Sequence, residues 1–402
     1  NTEGILTRLE EYFGTPYPYE KLDLIAVPES FGGAMENPGA ITYDEYLLLL
    51  DEDSPADQRR AYVAVHAHEL AHQWFGNLVT PVWWNDIWLN EAFATWMGNK
   101  ASAAFWAEGE FGRQSLKGAL GAMDSDSLAA ARQIREPVDT TEAITEAFDG
   151  ITYQKGGGVL AMLERYVGEQ EFRDGVRLHM RRHADGVATA EDFMASLAEG
   201  SGRAELIPAF ESFIEQPGVP LVSASVVCDE GKKPVMKLSQ GRYAPLGSSI
   251  VPESGEWQIP VCVSYDDGGI GKSTCALLNE QNKTVELDSE TCPSGLHPNA
   301  DGAGYYRFSL DGSWWNGLIS DLPDMPPSEA LVMADSLGAA FGAGKMPATT
   351  YVSGLTALIN HETWDVVDAA MDQLEQLTDV VEVEQLPVLE QAYREIVRPR
   401  FA

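Results

Sequence analysis

Positive charge is what this sequence has least of: across 402 residues, 27 Lys and Arg face 62 Asp and Glu, a net charge of −35. Phosphate backbones are held by clustered Lys and Arg, so nucleic acid is excluded as a partner. A strongly solvated surface of the halophile-like or secreted kind is the plain reading. An acidic mouth that draws cationic substrates is the sharper one, and charge alone does not carry it. Long apolar runs are also missing, and "YLLLL" at 46–50 falls far short of the roughly 18 residues needed to span a bilayer. The opening, "NTEGILTRLEEYF", has neither the basic nor the apolar region of a signal peptide. It reads as the middle of a longer protein, with any targeting information elsewhere. Cysteine is scarce: Cys228, Cys262, Cys275 and Cys292 lie in one strand-like segment, away from the histidines and without CxxC spacing. Two structural disulfides of an oxidising compartment are favoured over free buried thiols, which leans the localisation toward extracytoplasmic or secreted. No internal repeat or low-complexity tract is present.

What is there is a folded chain. Hydrophobic content of 44% with ten Trp argues against disorder, and the length calls for two or three domains. Residues 1–20 read as a helix followed by the turn-rich "GTPYPYE". "KLDLIAVP" alternates like a strand, and "ITYDEYLLLL" looks extended at its start. From about 57 to 216 the apolar spacing is helical; "AEDFMASLAEG" opens on a cap-like start and closes on Gly. "EQPGVP" at 215–220 breaks that pattern. Period-two stretches follow, "LVSASVV", "VMKLSQ", "WQIPVCVSY", "TVELD" and "GYYRFSL", which make a small β-sandwich. Helical period returns from "SWWNGLISDL" onward. The expected fold is multidomain α+β: a mainly helical domain at 1–218, a β-sandwich at 219–313 and part of a helical domain at 314–402.

Of the seven histidines, His66, His68 and His72 crowd into "HAHELAHQWFGNLVTPVWWNDIWLNEAFATW" at 66–96. On a helix His68 and His72 are separated by about 40°, so both imidazoles can meet one ion. Glu69, about 100° round from His68, flanks that ion without binding it. This is the HExxH arrangement, two zinc-binding histidines with a glutamate as general base. His66, about 200° from His68, points elsewhere and is a bystander. A catalytic zinc site needs a third protein ligand and an open position for water. Glu91 follows His72 with 18 residues intervening, inside the helical pattern "DIWLNEAFATWM". An antiparallel neighbouring helix would bring it to the ion. A carboxylate among Trp88, Leu89, Ala92 and Phe93 otherwise costs several kcal/mol in desolvation.

"HELAHQWFGNLVT" followed by "WLNEAFATW" resembles the aminopeptidase N family of zinc metallopeptidases, a branch of the gluzincins. "YFGTPYPYEKLDLIAVPESFGGAMENPGAITY" is similar to that family's run into its GAMEN motif, here Gly33, Ala34, Met35, Glu36 and Asn37. "FDGITYQKGGGVLAMLE" is similar to its catalytic-tyrosine segment. "FIEQPGVPLV" and "NADGAGYYRFSL" resemble the end of its catalytic domain and the last strands of its β-domain. The resemblance spans roughly 8–312 and is strongest at 15–164.

The resemblance implies a thermolysin-like catalytic domain with one zinc ion on His68, His72 and Glu91. It makes Glu69 the base that deprotonates the water the metal activates, and Tyr153 the donor that stabilises the oxyanion. A Tyr hydroxyl suits that task as a neutral, directional donor. Glu36 becomes the anchor for the substrate's α-ammonium, beside an extended edge of Gly33, Ala34 and Met35 that pairs with substrate backbone. The partners implied are peptides with a free N-terminal amine, and oligomeric state stays open. Three positions depart from the family pattern: Ala92 stands where Gly is usual, Pro38 where Trp is common, and Gly98 where many members carry an acidic residue. The family's N-terminal β-domain has no counterpart in this chain, and the C-terminal helical domain looks incomplete. Rival readings are a thermolysin-like endopeptidase, the leukotriene-hydrolase branch and a catalytically silent binding or scaffold relative.

Overall fold

The computed structural model describes residues 1–28, 33–251, 255–379 and 381–401. Residues 29–32, part of the run into GAMEN, lie outside the described residues. The chain divides into two compact units, 1–122 with 132–217, and 123–131 with 218–402.

The first unit opens with α1 (Thr2–Phe13), which buries Ile5, Leu9, Tyr12 and Phe13 along one stripe. Three strands follow: β1 (Asp23–Val27), β2 (Ala34–Met35) and β3 (Ala40–Asp44), in sheet order β1-β3-β2. β3 lies parallel to β1 and antiparallel to β2. The extended start of "ITYDEYLLLL" is β3; the rest turns into the short helix α2 (Glu45–Leu48), because Asp44 accepts from the Tyr46 backbone N–H and caps it. Then come α3 (Ala56–His72), β4 (Val79–Pro81), α4 (Ile87–Phe105) and α5 (Phe111–Asp126). After α6 (Thr141–Glu146) a π-helical turn, Ile151–Lys155, leads into α7 (Gly156–Val167). The unit closes with α8 (Glu169–His183), β5 (Gly186–Ala188, parallel to β4), α9 (Ala190–Ser201) and α10 (Leu206–Ile214). Thr189 and Asp192 form the capping box expected before α9, but Gly200 does not end that helix. Gly202 does, in the left-handed conformation; a Cβ on Gly200 would come within 2.4 Å of the Gly175 Cα, so Gly200 is where α8 and α9 touch.

The second unit holds two sheets. One has strand order β10-β7-β6-β12, from β6 (Pro220–Val227), β7 (Val235–Arg242), β10 (Asn282–Glu286) and β12 (Arg307–Leu310). The other has order β11-β8-β9, from β8 (Ile259–Asp266), β9 (Gly271–Leu278) and β11 (Ser294–His297). β9 and β11 were not legible as strands: both carry a glycine, β9 opens on the polar run Gly271–Thr274, and β11 has only four residues. Trp257 precedes β8 rather than starting it; it is fully buried, and its backbone N–H and C=O both bond the Gln240 side-chain amide. Cys262 and Cys275, register partners on β8 and β9, form one disulfide, and Cys228 and Cys292 form the other. Helices α11 (Gly312–Asp321), α12 (Pro327–Gly342), α13 (Ala348–Ile359), α14 (Trp364–Gln376) and α15 (Leu386–Phe401) complete this unit. Helices and small sheets thus coexist in one α+β chain. Among the described residues no helix is long and apolar enough to cross a membrane.

Candidate metal centre

Helices α3 and α4 run antiparallel at backbone distance. Glu91 faces His68 and His72, Thr95 faces His68, and Ser102 bonds the Val63 carbonyl, so positions rising along α4 meet positions falling along α3. The close approach depends on Gly98: a Cβ there would lie 2.8 Å from the His68 N and 2.9 Å from its Cα. The absent acidic side chain at 98 is therefore a packing requirement in this chain. Ala92 has a similar explanation, because it fills the space against Gly156, where a second Cβ would come within 2.6 Å.

Three donor atoms converge. His68 Nε2 and His72 Nε2 lie 2.9 Å apart, and Glu91 Oε2 is 3.3 Å from the first and 3.5 Å from the second. Each imidazole has its other nitrogen beside an oxygen: His72 Nδ1 is 3.2 Å from the Phe75 carbonyl, and His68 Nδ1 is 3.3 Å from Thr95 Oγ1. Partners of that kind fix the ring orientation of a metal-binding histidine. A second grouping joins Glu36, Glu69 and His72. Glu69 is buried, and its Oε2 has no hydrogen-bond partner.

Burial and charge act together here. Burial pushes the Glu69 carboxyl up to about 8. His68 is pushed down by burial, with His72 adding to the effect. For His72 burial works against the charged ring, but Glu91 and Glu36 outweigh it and carry the imidazole up to about 10. Burial likewise disfavours the Glu91 anion, yet His72 and His68 together hold it well below the usual carboxylate range. Two carboxyl groups and two imidazoles thus share one largely buried place, with donor atoms close enough together to hold a metal ion.

Tyr153 lies in the π-helical turn, its ring stacked on His68 at a centroid distance of 6.0 Å. Such turns re-aim a side chain within an otherwise regular helix. Asp149 anchors this one by accepting from the Ile151 and Thr152 N–H groups at 2.9 and 3.1 Å. Arg132 in turn donates to Asp149 Oδ2 at 3.0 Å and to Thr152 Oγ1 at 2.8 Å. Burial, then the negative charge of Glu91, keeps the Tyr153 hydroxyl protonated far above its ordinary range.

Glu36 joins the group from the sheet, its Oε1 3.9 Å from His72 Nδ1. Its backbone carbonyl accepts from Gln73 Nε2 at 2.9 Å and Asn77 Nδ2 at 2.8 Å. Ala34 and Met35 form β2, which is an edge of its sheet among the described residues, and Gly33 accepts from the Asp44 N–H. The Asn37 side chain is exposed and lies 3.5 Å from Thr42 Oγ1. His66 is a core histidine, between Tyr43 OH at 2.7 Å and Thr2 Oγ1 at 3.0 Å, and is no part of the cluster. Sequence reasoning missed Gln73, Asn77, Asn90, Thr95 and the Asp149–Arg132 pair. Gln73 is fully buried just past the end of α3, and its bond to the Glu36 carbonyl is a long-range contact that spacing does not show.

Residues 1–214 match the Peptidase family M1 domain. The chain belongs to peptidase family M1. It is 36% identical over 351 residues to "Aminopeptidase M1" of Arabidopsis thaliana, covering 83% of this chain and 38% of that protein. It is 34% identical to "Probable aminopeptidase 2" of Sulfurisphaera tokodaii, covering 92% of this chain and 45% of the relative. It is 37% identical to "Leucyl aminopeptidase" of Saccharolobus solfataricus, covering 74% and 36%. The chain thus spans less than half the length of these curated relatives.

Proposed function

We propose that this chain is the catalytic part of a zinc-dependent aminopeptidase, releasing N-terminal amino acids from peptides. The observation behind the proposal is that Glu36, grouped with Glu69 and His72 and 3.9 Å from His72 Nδ1, stands beside the converging donors of His68, His72 and Glu91. A carboxylate beside a metal centre suits a substrate whose cationic terminus lies next to the bond to be cut. Two imidazoles and one carboxylate are a zinc donor set of the hydrolytic type. The orphaned Glu69 oxygen and the oriented outer ring nitrogens fit the same ion.

When bound, zinc supplies Lewis acidity, lowering the pKa of a water and polarising the scissile carbonyl. Glu36 holds the α-ammonium, and the open edge of β2 pairs with the substrate backbone. Glu69, whose buried Oε2 has no hydrogen-bond partner, takes the proton from the attacking water and returns it to the leaving amine. Tyr153, kept protonated, donates its hydroxyl hydrogen to the developing oxyanion. The three-part domain reading, 1–218, 219–313 and 314–402, belongs to this proposal. So does an extracytoplasmic location, which the two disulfides support.

The experiment compares free and N-acetylated forms of one dipeptide amide, with and without chelator. A free-amine advantage of about thirtyfold or more is expected, since deleting one partner of a buried charged contact costs roughly 2–5 kcal/mol. Chelation should abolish turnover and added zinc restore it. Equal rates on the two substrates would reassign the site to an endopeptidase, and no turnover on either would leave a silent relative.

A further inference from the structure

We infer that Asn90 is a specificity-determining residue, the cross-link that fixes the amine anchor Glu36 relative to the metal ligand Glu91. The inference rests on the aminopeptidase reading above. One amide nitrogen, Asn90 Nδ2, donates to Glu36 Oε1 at 3.2 Å and to Glu91 Oε1 at 3.2 Å. Its two hydrogens therefore serve two different carboxylates. Both carboxylates sit in a mostly buried site, and a neutral double donor holds them together without adding charge.

The arrangement selects which oxygens remain for chemistry. On Glu91, Asn90 takes Oε1, while Oε2 is the oxygen near both histidine Nε2 atoms. On Glu36 it likewise takes Oε1. Glu36 is also pinned through its backbone carbonyl by Gln73 and Asn77, so both ends of the residue are tied to the ligand-bearing region. The α-ammonium position and the scissile-bond position are then related by one side chain.

Asn90 itself has little freedom. It is 3% exposed, and its Oδ1 is buried without a partner. That oxygen fits only because residue 76 is glycine: at φ 123°, a Cβ on Gly76 would come within 2.1 Å of it. Turning the amide over would aim its oxygen at two carboxylates, so the donor orientation is forced. Asp at 90 would place a third carboxylate there, and Gln would extend the donor by one methylene.

The test uses Asn90→Ala and the isosteric Asn90→Asp in the full chain, beside wild type. The first readout is the ratio of kcat/KM for free over N-acetylated dipeptide amide, which does not depend on the fraction of folded protein. The second is zinc affinity by chelator competition. The third is calorimetric binding of leucine amide and N-acetyl-leucine amide to metal-stripped protein. Both variants are expected to cut the free-amine ratio about tenfold or more and to weaken zinc about 10- to 100-fold. In the stripped protein they should narrow the free-amine preference as well. A wild type that discriminates, with variants that keep its ratio within about twofold whatever their zinc affinity, overturns the role of Asn90. A wild type that does not discriminate overturns the aminopeptidase reading, and this inference with it. If Asn90→Ala fails to fold, Asn90→Asp, which keeps the shape and loses the donor, decides.

Discussion

At the scale of single residues, the proposed mechanism gives Glu69 and Tyr153 different jobs, and their substitutions should separate. Glu69→Gln keeps both imidazoles and should retain zinc while turnover falls about 10²- to 10⁴-fold, checked by metal analysis beside kcat. Tyr153→Phe removes a donor that matters in the transition state, so kcat should fall about 10²- to 10³-fold with KM nearly unchanged. A comparable loss of zinc in either variant would show these side chains to be structural. A third residue tests burial alone. His179, packed between Phe75 and Phe193, is held at about 4 by burial, with His183 adding. Below pH 6.5 the unfolded chain gains a proton that the folded ring refuses. Stability should then fall toward pH 4 by about 1.4 kcal/mol per pH unit from this group. Urea melts of wild type and His179→Phe between pH 7 and 4.5 should show the shallower dependence in the variant. His68, Glu69 and His72 were legible because a helix turns their spacing into direction, and Glu91 because a carboxylate in an apolar helix calls for a partner. Asn90 and Gln73 were not, because their meaning lies in Glu36, 54 and 37 residues away in the chain.

At the scale of elements, the pairing of α3 with α4 carries the centre. The helices were readable from apolar period and the antiparallel pairing from the need to satisfy Glu91. The distance between them was not, since it is set by Gly98, which in sequence looks like a lost acidic residue. Gly98→Ala must push its Cβ against the His68 backbone, and backbone cannot swing aside as a flexible side chain does. It should destabilise by about 1–3 kcal/mol and weaken metal binding, checked by thermal melts and chelator competition. Unchanged melting and metal affinity would mean that the helix pair relaxes freely. β9 and β11 escaped notice because their sequences show no apolar alternation, while the ladder of β8 on which they pair is visible only in the fold. Gly200 misled for a related reason: glycine ends helices and also lets them touch.

At the scale of the whole molecule, a net charge of −35 works against compactness. Raising salt from about 0.05 to 1 M shortens the screening length from above 10 Å to about 3 Å, so the melting temperature should rise; a flat or falling trend would contradict this. The Cys228–Cys292 disulfide closes a loop of 64 residues, which favours the folded second unit by about 4 kcal/mol in the chain-entropy account. Reductant should therefore lower the melting of residues 218–402 and spare that of 1–122 with 132–217, a difference hydrogen exchange can localise. The edge strand β2 has a consequence for self-association. An edge left open for a guest backbone is equally open to a second copy of the chain, the usual start of strand-by-strand aggregation. Here the strand is only two residues long, Ala34–Met35, closely followed by Pro38, which has no N–H to offer. So short a strand is a poor template for a sheet, and the like charge of two such acidic copies opposes their approach.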